Sequence, residues 1–184
     1  MTLNEYQRLS GKFEAPGMDR EQRLRHAVCG LASEVCELIE KARGRRVIAE
    51  LTDEAGDVAW FIARICAVKG IPMVYLSVTD DDVWNVKKFG AENALIGDLG
   101  RVEGIFQKEL TGRTADDTVL IAYLREMLCA AAFLTGAVGQ NVADVVENIL
   151  EKNIAKLKVR YPDGFSVARA LNRDLEAEKD VFRG

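Results

Sequence analysis

Only three prolines occur in 184 residues, and each stands at the margin of a helical pattern rather than inside one. Proline lacks an amide hydrogen and clashes with the preceding turn, so its placement marks where helices can run. Pro16 precedes a long apolar stripe, Pro72 follows the next one and Pro162 closes the last. The first stripe is Leu24, Ala27, Val28, Leu31, Val35, Leu38 and Ile39. The second is Leu51, Ala55, Val58, Ile62 and Ile65. Both repeat at the helical period. The spacing predicts helices over about 19–42, 48–69, 81–89, 92–110, 116–138 and 142–161, with Asp19 capping the first and Gly44 ending it. Val145, Val146, Ile149, Ile154 and Leu157 make the last stripe. Residues 71–78 (IPMVYLSV) have strand-like composition, but a lone strand has nothing to pair with, so they read as loop or helix entry. The expected fold is all-α, a helical bundle forming a single domain over 1–165. A charged, loosely attached tail is expected over 166–184.

A net charge of −4 and a pI near 5.2 give no global attraction for nucleic acid or for an anionic membrane. The longest uncharged apolar run, Met127–Gly139, falls well short of the roughly 20 residues that a membrane span needs. The amino-terminal residues (MTLNEYQRLSGKF) are polar and show no secretory-signal pattern. Cys29, Cys36, Cys66 and Cys129 contain no CxxC and fall in apolar helical segments, so they read as buried, reduced thiols. The expectation is a cytoplasmic protein with neither nucleic acid nor membrane as partner.

Two consecutive helices break the apolar pattern in the same way. In heptads counted from Leu24, Glu34 takes position d, where a core helix wants leucine, and Glu37 takes g. Counted from Leu51, Glu54 takes d and Asp57 takes g. Residues three apart share a helix face, and a short turn between antiparallel helices brings both pairs together. Each pair taken alone reads as a solvated face. Four carboxylates in one core-edge phase would repel one another and be costly to desolvate, which calls for a cation with oxygen ligands. Mg²⁺ or Mn²⁺ suits such a set, in two or more ions, whereas zinc prefers His and Cys. A di-iron bundle needs Glu-x-x-His pairs, and the single histidine, His26, is in none.

The stretches GLASEVCELIEKARG, ELTDEAGDVAWFIARI and NIAKLKVRYPDGFS resemble MazG-like members of the all-α nucleoside triphosphate pyrophosphohydrolases. The Glu-x-x-Glu, spacer, Glu-x-x-Asp pattern of that family falls here on Glu34, Glu37, Glu54 and Asp57. EYQ near the start, RLRHA before the first pair and NRDLEAE after the last helix extend the likeness over about residues 1–70 and 140–178. The resemblance implies an enzyme that cleaves a nucleoside triphosphate between the α and β phosphates, giving a monophosphate and pyrophosphate with Mg²⁺ held by the four carboxylates. It implies that Asn153 and Lys156 help hold phosphates. Arg160 follows at near-helical spacing, with Tyr161 beyond, and the alternative for these residues is a solvated helix face. Glu37 is the candidate general base because position g faces outward more than d. Lys41 and Arg45 are further phosphate candidates, though the helix dipole also favours basic residues there. His26 and Phe61 are candidates for contact with the base, against packing roles, and Trp60 reads as core. A dimeric-type dUTPase or dUDPase is the alternative enzyme, and a non-catalytic helical binding protein is the alternative from another class.

The middle of the chain lies outside that resemblance but echoes its first part. Leu31–Gly44 aligns without gaps on Leu99–Gly112, with Val102 opposite Glu34 and Ile105 opposite Glu37. Residues 90–140 therefore read as a degenerate repeat or an insertion. A degenerate second half would replace the partner subunit that small members of the family recruit, making a pseudo-dimeric monomer. Otherwise a homo-oligomer is expected.

Overall fold

The computed structural model describes residues 1–137 and 139–183. It opens on a helix that the apolar stripes do not announce. α1 (Leu3–Ser10) is capped by the Thr2 hydroxyl, which accepts the Glu5 amide, and it buries Tyr6 completely. A 3₁₀ turn, Gly11–Phe13, leads toward α2 (Arg20–Arg43). There Asp19 accepts the Gln22 amide at 2.8 Å while the Gln22 side chain accepts the Asp19 amide at 2.9 Å. This reciprocal cap satisfies two of the orphan donors at the helix start. α3 (Ile48–Lys69) returns after a short turn and stops at Gly70, whose φ of +71° is open to glycine without strain.

The segment 71–78 contains a 3₁₀ turn, Met73–Leu76, and there is no strand among the described residues. α4 (Asp80–Phe89), α5 (Ala91–Leu110), α6 (Asp117–Leu134) and α7 (Val142–Arg160) complete the bundle. The two dominant pairings are α2 with α3 and α5 with α6, and α3 also meets α1, α6 and α7. The expected all-α bundle is therefore present. Leu31, Leu38, Leu51, Ile62, Ile65, Leu120 and Leu124 are fully buried in one continuous core. Each such side chain contributes roughly 1.5–3 kcal/mol relative to exposure. The register that sets Leu31 opposite Leu99 also sets Ile48 opposite Asp116 and Lys69 opposite Ala137. In sequence, that register lays α2 and α3 over α5 and α6, with α6 ending three residues short of Ala137. Val102 and Ile105, which that register sets opposite Glu34 and Glu37, are buried. No helix among the described residues is long and apolar enough to cross a membrane.

Three expectations need correction. The segment after Phe165 is not a loose tail: α8 (Val167–Leu171) leads into α9 (Leu175–Arg183), which packs on α7 and α3 and buries Glu178 and Phe182. Two of the cysteines, Cys29 and Cys36, are exposed because they sit on the outer face of α2; Cys66 and Cys129 are buried, and all four are free thiols. The helix expected over 116–138 ends at Leu134, where Thr135 and Gly136 (φ +102°) break it. Val138 of that expectation lies outside the described residues, as does Gly184 of the tail.

Candidate metal centre

The α2–α3 hairpin brings carboxylates from both helices to one place. Ligand oxygens of Glu34, Glu54 and Asp57 lie within 4.8 Å of one another. Ligands of an octahedral ion at about 2.0–2.1 Å stand roughly 3–4 Å apart, so small rotamer changes would close the set around Mg²⁺ or Mn²⁺. Burial pushes the Glu34 carboxyl up to about 8, and the charges of Asp57, Glu54 and Glu37 push the same way. Glu54, only 7 % exposed, is also raised by burial, against the pull of the Lys41 ammonium that donates to its Oε1. Carboxyls raised by burial and by one another are groups whose mutual repulsion a divalent ion would relieve. Three carboxylates with neither His nor Cys could hold a hard divalent ion.

Glu37 does not join this group. It is exposed, and its Oε1 accepts from the Ser33 hydroxyl at 3.3 Å. It stays one turn from Glu34 on the same helix, so the fourth carboxylate stands beside the centre rather than in it.

α7 supplies the second wall. Asn153, completely buried, donates through Nδ2 to Asp57 Oδ1 at 3.0 Å and accepts the Tyr6 hydroxyl at 2.8 Å. Tyr6 is raised well above the usual phenol range by burial first and by the Asp57 charge second, so it stays a donor. Gly56 lets α7 approach, because a Cβ there would lie 2.9 Å from Asn153 Cβ. The Lys156 ammonium donates to both Asp57 oxygens at 2.6 Å and to Asp53 Oδ1. Burial lowers the Lys156 pKa, but the charges of Asp57 and Asp53 outweigh it and leave the group raised and charged.

Other residues singled out in the sequence fall in different places. Arg160 is taken by Glu178: its Nε and Nη2 donate to the two carboxylate oxygens at 3.0 and 2.6 Å, and Arg173 Nη2 donates to Oε2 at 2.6 Å. Tyr161 is buried, stacked on Phe13 and tilted against Phe165, with ring centres 6.3 and 5.4 Å away. In this arrangement neither is a free ligand. Lys41 faces Glu54 from the rim. Arg45 is exposed on the turn. His26 packs on Phe61, ring centres 5.5 Å apart, just over two helical turns before Glu34 on α2. Phe61 is half-buried there, over Gly30, where any Cβ would meet its ring at 2.1 Å. Trp60 is core, donating Nε1 to the Ser10 carbonyl at 3.2 Å.

Two participants were missed in the sequence. Asp53 lies four residues before Asp57, a same-face spacing that was a readable signal. Tyr6 sits in the EYQ stretch, but no local pattern ties it to a residue 147 positions away. The chain matches no family model, no curated protein and no solved structure.

Proposed function

We propose that the protein is a Mg²⁺-dependent nucleotide pyrophosphohydrolase that attacks the α phosphorus of a nucleoside triphosphate. The observation that carries this reading is the convergence of Glu34, Glu54 and Asp57 from two helices, with Asn153 and Lys156 fixing Asp57 from a third. Mg²⁺ held there would neutralise phosphate oxygens and lower the pKa of attacking water. The remaining work falls to side chains. Exposed Glu37, outside the trio and one turn from Glu34, accepts the proton of the attacking water. The bond from the α phosphorus to the bridging oxygen breaks, and pyrophosphate leaves. Arg45, exposed on the turn between α2 and α3, and Lys41, on the last turn of α2 once it lets go of Glu54, are the basic groups this reading assigns to the departing phosphates. His26 and Phe61 offer an aromatic surface for the base, and the second hairpin covers the apolar flank that a partner subunit would otherwise supply.

A panel of ribo- and deoxyribonucleoside triphosphates incubated with Mg²⁺ should show pyrophosphate release from at least one of them. Glu54→Gln should abolish that release while remaining helical by circular dichroism. Release of orthophosphate and a diphosphate, or full activity in Glu54→Gln, would refute the reading.

A further inference from the structure

The ammonium of Lys156, only 1 % exposed, is shared by two carboxylates in different situations. Asp57 belongs to the acid trio, whereas Asp53 does not. Both Asp57 oxygens lie 2.6 Å from Lys156 Nζ, and Asp53 Oδ1 accepts from the same nitrogen. On its other side Asp53 borders a cleft of about 260 Å³ between α9 and the first turn of α3. A divalent ion drawing on Asp57 must take an oxygen that Lys156 already holds. The ammonium cannot then be left without an anion, because a buried unpaired charge is strongly destabilising. Among the described residues, Asp53 is the one other carboxylate that Lys156 contacts.

We infer that Lys156 is an internal cation holding Asp57 in the metal-free site, and that Asp53 is the positioning residue that retains Lys156 when Asp57 turns to the ion. This rests on the metal centre proposed above. Bare negative charge at Asp53 would also favour a nearby cation, so the loss of affinity in Asp53→Asn does not by itself separate the two accounts. They separate when Lys156 is absent. If Asp53 acts through Lys156, removing it then changes little. If it acts through its field, the loss persists.

Mn²⁺ titrations by calorimetry on the full chain, without nucleotide, test this for wild type, Asp53→Asn, Lys156→Met and the double variant. Lys156→Met should bind Mn²⁺ roughly tenfold more tightly, because a competing charge is gone. Asp53→Asn should weaken binding by roughly tenfold, as loss of a supporting partner does. In the Lys156→Met background the same change should shift affinity by no more than about twofold. Lys156→Gln runs the same cycle if the methionine variant does not fold. Weaker binding in the Lys156 variant, or an equal loss from Asp53→Asn in both backgrounds, overturns the inference. A wild type that binds no Mn²⁺, or an Asp57→Asn variant that binds it as tightly as wild type, instead removes the metal centre, and the inference with it.

Discussion

Glu34 makes the metal-free protein sensitive to pH in a direction opposite to most surface acids. Its carboxyl is pushed from 4.5 up to about 8, by burial first and then by Asp57, Glu54 and Glu37. Between those values the folded chain holds a proton that the unfolded chain has released. The stability tied to that proton is fully present below about pH 4.5 and is lost as pH rises toward 8. At about 1.4 kcal/mol per pH unit, the interval is worth on the order of 5 kcal/mol. Side-chain rearrangement and water at this half-buried position bring it down to about 2–3 kcal/mol. Glu54 is raised too, so its contribution is lost in the same direction. Urea unfolding in a chelator should therefore show wild type losing stability between about pH 5.5 and pH 8.5, and Glu34→Gln losing less. The two should nearly coincide at the acid end and differ by that amount at the alkaline end, with the variant more stable. Added Mg²⁺ should recover wild type at alkaline pH and not the variant. Parallel pH profiles would refute the picture of an acid raised by its neighbours.

Val102→Glu would bury a carboxylate one turn from the buried Asp98, where no group of three acids gathers among the described residues, costing several kcal/mol; an unchanged urea midpoint would remove the account of this hairpin as degenerate core. Gly56→Ala should crowd Asn153, whose Cβ and Nδ2 lie 2.9 Å from the added methyl, lowering stability by about 1–3 kcal/mol and weakening Mn²⁺ binding. Wild-type behaviour in calorimetry and thermal unfolding would refute that contact. In Glu178, burial raises the carboxyl, but the Arg160 and Arg173 hydrogen bonds outweigh it and hold the group down at about 2. Its contribution is therefore present above about pH 4.5 and lost as pH falls toward 2. Glu178→Gln should expose α9 to limited proteolysis at neutral pH, and a cleavage pattern identical to wild type would show that the arginine pair does not hold this helix.

What could be read from the sequence followed from periodicity and its violations. Leu24 to Ile39 and Leu51 to Ile65 are long stripes, and long stripes identify helices whatever else surrounds them. The two acidic pairs were visible because they interrupted those stripes at the same phase, and three of the four residues do meet. Glu37 was misplaced because sharing a face fixes a backbone direction but not which side of a neighbouring ridge the side chain takes. α1 and α9 escaped notice for another reason. Each is short and largely polar, with Tyr6 and with Glu178 and Phe182 as its anchors, and those anchors find their partners only in the folded chain. Arg160 looked available for phosphate because Glu178, eighteen residues on, is invisible to any local pattern. The exposure of Cys29 and Cys36 follows from the outer face of α2, which their apolar surroundings in sequence disguised.

The most direct test of the proposed metal centre and its proposed chemistry is where the oxygen of water ends up. Hydrolysis of an accepted nucleoside triphosphate in ¹⁸O-enriched water with Mg²⁺, followed by mass spectrometry of the products, reads this in one experiment. Attack at the α phosphorus predicts one ¹⁸O in the monophosphate and none in the pyrophosphate, with no turnover in Glu54→Gln. Label in pyrophosphate, label in orthophosphate, or labelled monophosphate formed equally well by Glu54→Gln would contradict the account.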